Sequence, residues 1–194
     1  MIQALIRTAV PLALPVSLNE VKAHLRIDAS DEDALLASMI RAATNTAEDY
    51  IGRALITQSW SLFLDHWPAG RRVDLPKSPT QSVDSIRVFA DDDTSVMYAP
   101  ANYYLNAASD PAGIFLRRGV APPIPTRVTN GIEIKFVAGY GPSQADVPVP
   151  IVEGIKNLVG YWFEHRDAVT PNYRTASLPV SVDALFAPYR SVRL

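Results

Sequence analysis

The sequence predicts an α+β fold. A helical bundle, made of an N-terminal helix hairpin and one C-terminal helix, carries an inserted small antiparallel β-sheet or barrel and ends in an extended C-terminal tail. Two observations carry this. Apolar residues recur every three or four positions over 18–51 and again over 151–163, the period of an amphipathic helix. Between them the period falls to two, aromatic and β-branched residues take over, and turn residues punctuate the chain at short intervals.

The first helix starts at Ser17–Glu20, whose SLNE sequence forms a capping box. It runs to about Leu25 or Arg26, with Leu18, Val21 and Leu25 on one face. DASDED at 28–33 follows, and Ser30 or Asp28 is placed to cap a second helix whose positive dipole end the acids suit. That helix is the longest. Leu35, Leu36, Met39, Ile40, Ala43, Ala47, Tyr50 and Ile51 mark its apolar stripe, and Gly52 stops it. The two helices are expected to pack as a hairpin.

At Leu55 the pattern changes. SWSLFLDHWP alternates, with Trp60, Leu62 and Leu64 on one face. RVDLP, VDSIRVFA, VMYAPANYYLN, GIFLRR and GIEIKFVAGYG read as further short strands. PAG at 68–70, KSPT at 77–80, Asp91–Asp93, SDPAG at 109–113 and TNG at 129–131 are turn signals. Pro148 and Pro150 then open a helix, with Pro150 suited to its first position. Ile151, Ile155, Leu158, Val159, Trp162 and Phe163 form its apolar face. Gly154 and Gly160 cost roughly 1 kcal/mol each in a helix interior, which points to a close approach by another element. The expected organisation is a helical part over 1–54, a β-region over 55–147, a closing helix over 148–168 that packs on the first two, and a docking tail over 169–194.

Composition narrows the function. The chain has 194 residues, nearly half of them apolar, a formal net charge of −2, three histidines and no cysteine. That balance argues against a dedicated nucleic-acid binder, which shows a concentrated basic face. Arg71–Arg72 and Arg117–Arg118 are the only basic pairs and read as solvated loop or strand positions. Disulfides, thiolate-bound zinc and a thiol nucleophile are excluded. The N-terminal stretch is broken by Pro11 and Pro15, is too short to span a bilayer and lacks the layout of a signal peptide.

Chemistry-bearing motifs are scarce. His24, His66 and His165 lie in separate elements without metal-ligand spacing. Asp91–Asp93 are consecutive, unlike the alternating oxygen ligands of a calcium loop. VAGYGP at 137–142 does not open a helix and so is no dinucleotide fingerprint. No phosphate-cradling or nucleophile-elbow motif is present. No catalytic residue, metal site or cofactor is therefore expected, and the chain reads as non-enzymatic. A peptide- or small-molecule-binding module, with Trp60, Trp67, Tyr103 and Tyr104 as its pocket, is the alternative.

The segment 178–194, LPVSVDALFAPYRSVRL, stands out. A free tail is polar, whereas this one carries large apolar groups spaced by arginines, the composition of a docking segment. Leu178, Leu185, Phe186, Tyr189 and Val192 are the candidate anchors, with Arg190 and Arg193 to satisfy acidic groups or carbonyls. Folding back on its own core is the other reading. Arg41, Glu48 and Arg53 are candidates for subunit contacts, with Arg41 and Glu48 as a charge pair.

The order of these pieces resembles the phage head–tail connector (adaptor) proteins of the gp6-like and phiE125-type groups. The resemblance rests on Lys22, Leu25, Arg26, Asp31, Glu32, Asp33, Tyr50, Gly52, Arg53, Ala54, Leu55, Gln58 and Trp60. LPKSPTQSVDSIRVF, FVAGYG, VPVPIVEGIKNLVGYWFEHRDA and the closing LPVSVDALFAPYR continue it. It covers about residues 15–194, and the co-linear series is more specific than any one motif. It implies a structural ring subunit of about a dozen copies with heterologous contacts. Such a ring sits beneath the portal, joins the capsid vertex to a tail-completion (stopper) or tail-terminator protein, and leaves a channel through which DNA passes without sequence-specific binding. The implied location is the neck of a virion or phage-like particle (phage, prophage or gene transfer agent), assembled in the bacterial cytoplasm without a membrane step.

Overall fold

A computed structural model describes residues 3–165 and 178–191. The chain divides into two compact units: residues 12–56 with 141–192, and residues 1–11 with 57–140 and the last two positions.

The first unit is helical. α1 (Leu18–Leu25) begins at Ser17, whose hydroxyl accepts from the Glu20 amide at 3.3 Å while the Glu20 carboxylate accepts from the Ser17 amide at 2.9 Å. The expected capping box is thus formed. Arg26, in a left-handed conformation (φ 57°), ends the helix. α2 (Asp33–Ile51) starts later than its acidic leader suggests: Glu32 occupies the cap position and makes no side-chain cap bond. Asp33 instead pairs with Lys22 of α1 at 2.7 Å, which ties the two helices of the hairpin. Of the stripe, Leu36, Ile40, Ala43, Ala47 and Ile51 are buried while Leu35, Met39 and Tyr50 are half-buried, and Gly52 takes a left-handed φ of 72°.

α3 (Val149–Glu164) closes this unit on α1 and α2, with Pro150 in its first turn. Ile151, Ile155, Leu158 and Val159 are buried. Ahead of it, the Ser143 amide and hydroxyl both donate to the Asp146 carboxylate at 2.9 Å. A Cβ on Gly141 would stand 2.3 Å from that carboxyl group, so this turn requires glycine.

The second unit holds two antiparallel sheets. The five-stranded sheet has the order β1–β2–β8–β4–β5, from β1 (Gln3–Ala9), β2 (Gln58–Leu64), β8 (Ile132–Ala138), β4 (Thr80–Phe89) and β5 (Ser95–Met97). The three-stranded sheet has the order β3–β7–β6, from β3 (Arg72–Asp74), β7 (Gly113–Leu116) and β6 (Tyr103–Asn106). Among the described residues neither closes into a barrel. Trp60, Leu62 and Leu64 of β2 face the core with Ile132, Ile134 and Phe136 of β8, the alternation seen in the sequence.

Three expectations change. Residues 3–9, grouped by sequence with the helical part, pair with β2 as an edge strand. Ile6 is 54% exposed, so no strong alternation marked this strand. VMYAPANYYLN is two strands, because Pro100 opens a short 3-10 turn between β5 and β6. The C-terminal segment is not wholly extended: α4 (Val180–Phe186) and a 3-10 turn (Ala187–Tyr189) form within it. No helix among the described residues is long and apolar enough to cross a membrane.

Candidate functional site: the docked C-terminal segment and a basic groove

The C-terminal segment folds onto its own helices, the second of the two readings open from sequence. The Pro179 carbonyl accepts from the amides of Val182 and Asp183, both at 2.9 Å, and starts α4. Pro188, with no amide proton, helps end it. Val182 and Phe186 lie on one face and are fully buried. Phe186 fills a notch on α3 at Gly154, where a Cβ would stand 2.3 Å from its ring. The glycine expected to admit a close neighbour thus admits this side chain. Gly160 does the same more loosely for Leu25, at 3.2 Å.

Polar contacts lock the segment to the end of α2. The Tyr50 hydroxyl donates to Asp183, and this bond holds the phenol above its ordinary pKa. The Arg190 guanidinium lies 5.4 Å over the Tyr50 ring. Arg53 Nε donates to the Tyr189 carbonyl at 2.5 Å, and the Ser191 amide donates to the Ile51 carbonyl at 2.8 Å. The last bond satisfies one of the carbonyls that a helix end leaves unpaired.

Two candidate residues are thereby corrected. Phe186 is an intramolecular anchor, because its ring is spent on Gly154 and offers no surface. Glu48 is 5% exposed and accepts from the Leu55 amide at 2.9 Å, so it serves the turn after α2 and cannot form the supposed intersubunit pair with Arg41. Arg41 is exposed. Leu178, Leu185 and Tyr189 are half-buried and Arg190 is exposed. Val192 and Arg193 lie outside the described residues.

The supposed aromatic pocket is not formed. Trp60 is buried in the five-stranded sheet, with Arg7 and Lys77 over its ring at 5.8 and 5.2 Å. Trp67 donates to the Pro123 carbonyl at 2.8 Å and packs on Tyr98, which stacks on Tyr103. Tyr104 points the other way from Tyr103 and is 50% exposed. His24, His66 and His165 are exposed, and His165 Nδ1 lies 2.8 Å from the Tyr161 carbonyl.

A feature that sequence reasoning passed over lies on the three-stranded sheet. Arg72, Phe115 and Tyr104 are partners in register across β3, β7 and β6. Their side chains stack in that order. Arg72 sits 5.4 Å over Phe115, and Phe115 lies 5.2 Å from Tyr104 at an interplanar angle of 6°. Arg117 sits 5.8 Å over the Tyr104 ring. An open groove of about 560 Å³ runs beside this stack, lined by Arg71, Arg117 and Arg118 and by no carboxylate.

Residues 15–92 match the family of phage gp6-like head–tail connector proteins. The whole chain is similar to a chain in the neck of an empty gene transfer agent particle computed with C6 symmetry. The TM-score is 0.81 and the identity 27%, over 98% of this chain and 97% of the other. A chain in the virion of a native gene transfer agent particle matches with TM-score 0.81 and 27% identity, over 98% and 96%. One in the neck of a native particle computed with C12 symmetry matches with TM-score 0.77 and 27% identity, over 100% and 97%. No curated protein matches the chain. Residues 15–92 therefore carry the phage gp6-like head–tail connector signature, and the chain throughout its length has the fold of a gene transfer agent neck chain.

Proposed function

We propose that this chain is a structural head–tail connector subunit of the neck of a phage-like particle. In this reading about a dozen copies close into a ring beneath the portal, through heterologous contacts between neighbours. The ring joins the capsid vertex to a tail-side completion or terminator protein and leaves an axial passage for DNA. The subunit carries out no reaction, and the ring is assembled in the bacterial cytoplasm before the particle is released.

The observation that carries the reading is the whole-length match to neck chains at TM-scores of 0.77 to 0.81. It is supported by the separate family match over residues 15–92. C6 and C12 symmetry in those neck structures is the basis for a ring of this order. We assign portal or neighbour contact to the outer side of the C-terminal segment, through Leu178, Leu185, Tyr189 and Arg190, and a neighbour contact to Arg41. Arg53 acts indirectly, by holding the Tyr189 carbonyl.

Co-expression with a portal protein from the same source, followed by native mass spectrometry, tests the proposal. A complex holding about twelve copies of the chain per portal ring is expected. Recovery of the chain only as a free monomer, with intact portal present, overturns it.

A further inference from the structure

We propose that the arginine–aromatic stack and its groove form a contact site for the phosphate backbone of double-stranded DNA. The inference deepens the neck reading, on which it rests for the presence of DNA beside the chain. The site itself follows from charge and geometry.

The topology of the small sheet brings together two arginine pairs that are 46 residues apart in sequence. The Leu116 amide donates to the Arg71 carbonyl at 3.0 Å, joining the start of β3 to the end of β7. Arg71 then donates from one guanidinium nitrogen to the carbonyls of Arg117 and Val120, at 2.8 and 2.7 Å. Arg71 is thus a positioning residue that fixes the strand end carrying Arg117 and Arg118, which are both exposed. Arg71, Arg117 and Arg118 line the groove, and Arg72 stands at the far end of the aromatic stack. Among the described residues, the carboxylate bonded to these arginines is that of Asp74, on Arg72 Nε at 2.6 Å. On a chain with a net charge of −2, this is a local basic excess, and it selects a polyanion.

The stack decides what kind. A guanidinium held over an aromatic face has its long side chain already ordered, so less entropy is lost when its fork meets an oxyanion. Arg72 and Arg117 are held in this way at the two ends of the Phe115–Tyr104 pair. Their cover leaves the ring faces closed to nucleobase stacking, which argues against single strands. No Asn or Gln lines the groove to read base edges. What remains is the equipment for sequence-independent phosphate contact, the kind a passage for DNA of any sequence requires. A carboxylate-rich protein segment offers a shorter run of charge than a duplex, whose backbone presents a continuous one.

The test uses the full chain and a fluorescent 30-base-pair duplex, with binding read by anisotropy from 50 to 200 mM salt. The wild type should bind, with affinity falling linearly in log–log form. Arg117→Gln/Arg118→Gln should weaken binding at least tenfold at 50 mM salt and reduce the salt slope by about 2. Arg117→Lys/Arg118→Lys should keep most of the slope. Absence of salt-dependent binding by the wild type overturns the inference. So does equal binding by the Gln variant, or tighter binding of a poly-glutamate peptide than of the duplex. Light scattering on the same samples, with and without portal, reads ring formation separately. A ring without DNA binding therefore refutes the site and leaves the neck reading standing.

Discussion

The notch at Gly154 gives a double substitution whose sign can be worked out in advance. Phe186 is fully buried, and its truncation to Ala should cost about 3–5 kcal/mol, the range for removing a buried phenyl ring. Gly154→Ala has two opposed effects. Replacing a mid-helix glycine gains about 1 kcal/mol of helix propensity. The new methyl, however, would stand 2.3 Å from the Phe186 ring, and overpacking of this kind costs about 1–3 kcal/mol. In the intact protein the clash cancels or exceeds the gain. With Phe186 already truncated the clash is gone, so Gly154→Ala should stabilise by about 1 kcal/mol. The two substitutions should therefore couple by about 1–3 kcal/mol, with the double variant more stable than the sum of the singles. Urea unfolding followed by circular dichroism at 222 nm measures this. Additivity within about 0.5 kcal/mol would show that Phe186 does not occupy the notch, and the intramolecular docking of the C-terminal segment would have to be abandoned.

Glu48→Ala leaves the buried Leu55 amide without its acceptor and should cost about 1–3 kcal/mol, whereas Glu48→Gln keeps an acceptor and should recover most of that loss in the same unfolding assay. Hydrogen bonds from Ser17, with a further one from Gln144 at 2.5 Å, hold the Glu20 carboxyl below its ordinary pKa. The folded value is the lower one, so Glu20 stabilises the protein above the usual carboxylate range and loses that contribution as pH falls through the folded value. Urea midpoints measured from pH 7 down to pH 3 should fall more steeply for the wild type than for Glu20→Gln, and parallel profiles would contradict the capping geometry. Truncation after residue 177 removes Val182 and Phe186 from the helical unit, so it should lower the helical unfolding midpoint; an unchanged midpoint would mean that the segment contributes nothing to its own core.

Much of the architecture was legible because local signals agreed with tertiary packing. The SLNE box, the stripe from Leu36 to Ile51 with its Gly52 stop, and the alternation of Trp60, Leu62 and Leu64 each specify an element and its buried face without outside help. Gly154 and Gly160 were legible as close approaches, although the sequence could not say that a phenylalanine 32 positions away fills the first. The edge strand at 3–9 was not legible. One of its faces meets solvent, and its pairing with β2 is long-range. Glu48 reads as a surface acid on a helix, and its role depends on where the chain turns after Gly52. The arginine pairs at 71–72 and 117–118 look unremarkable in sequence because the long-range pairing of β3 with β7 is what makes them neighbours.

Immunogold labelling of particles purified from the source, with an antibody against this chain, would locate the subunit outright. Label confined to the neck between head and tail is expected. Particles free of label, with the chain recovered only in the soluble fraction, would contradict it.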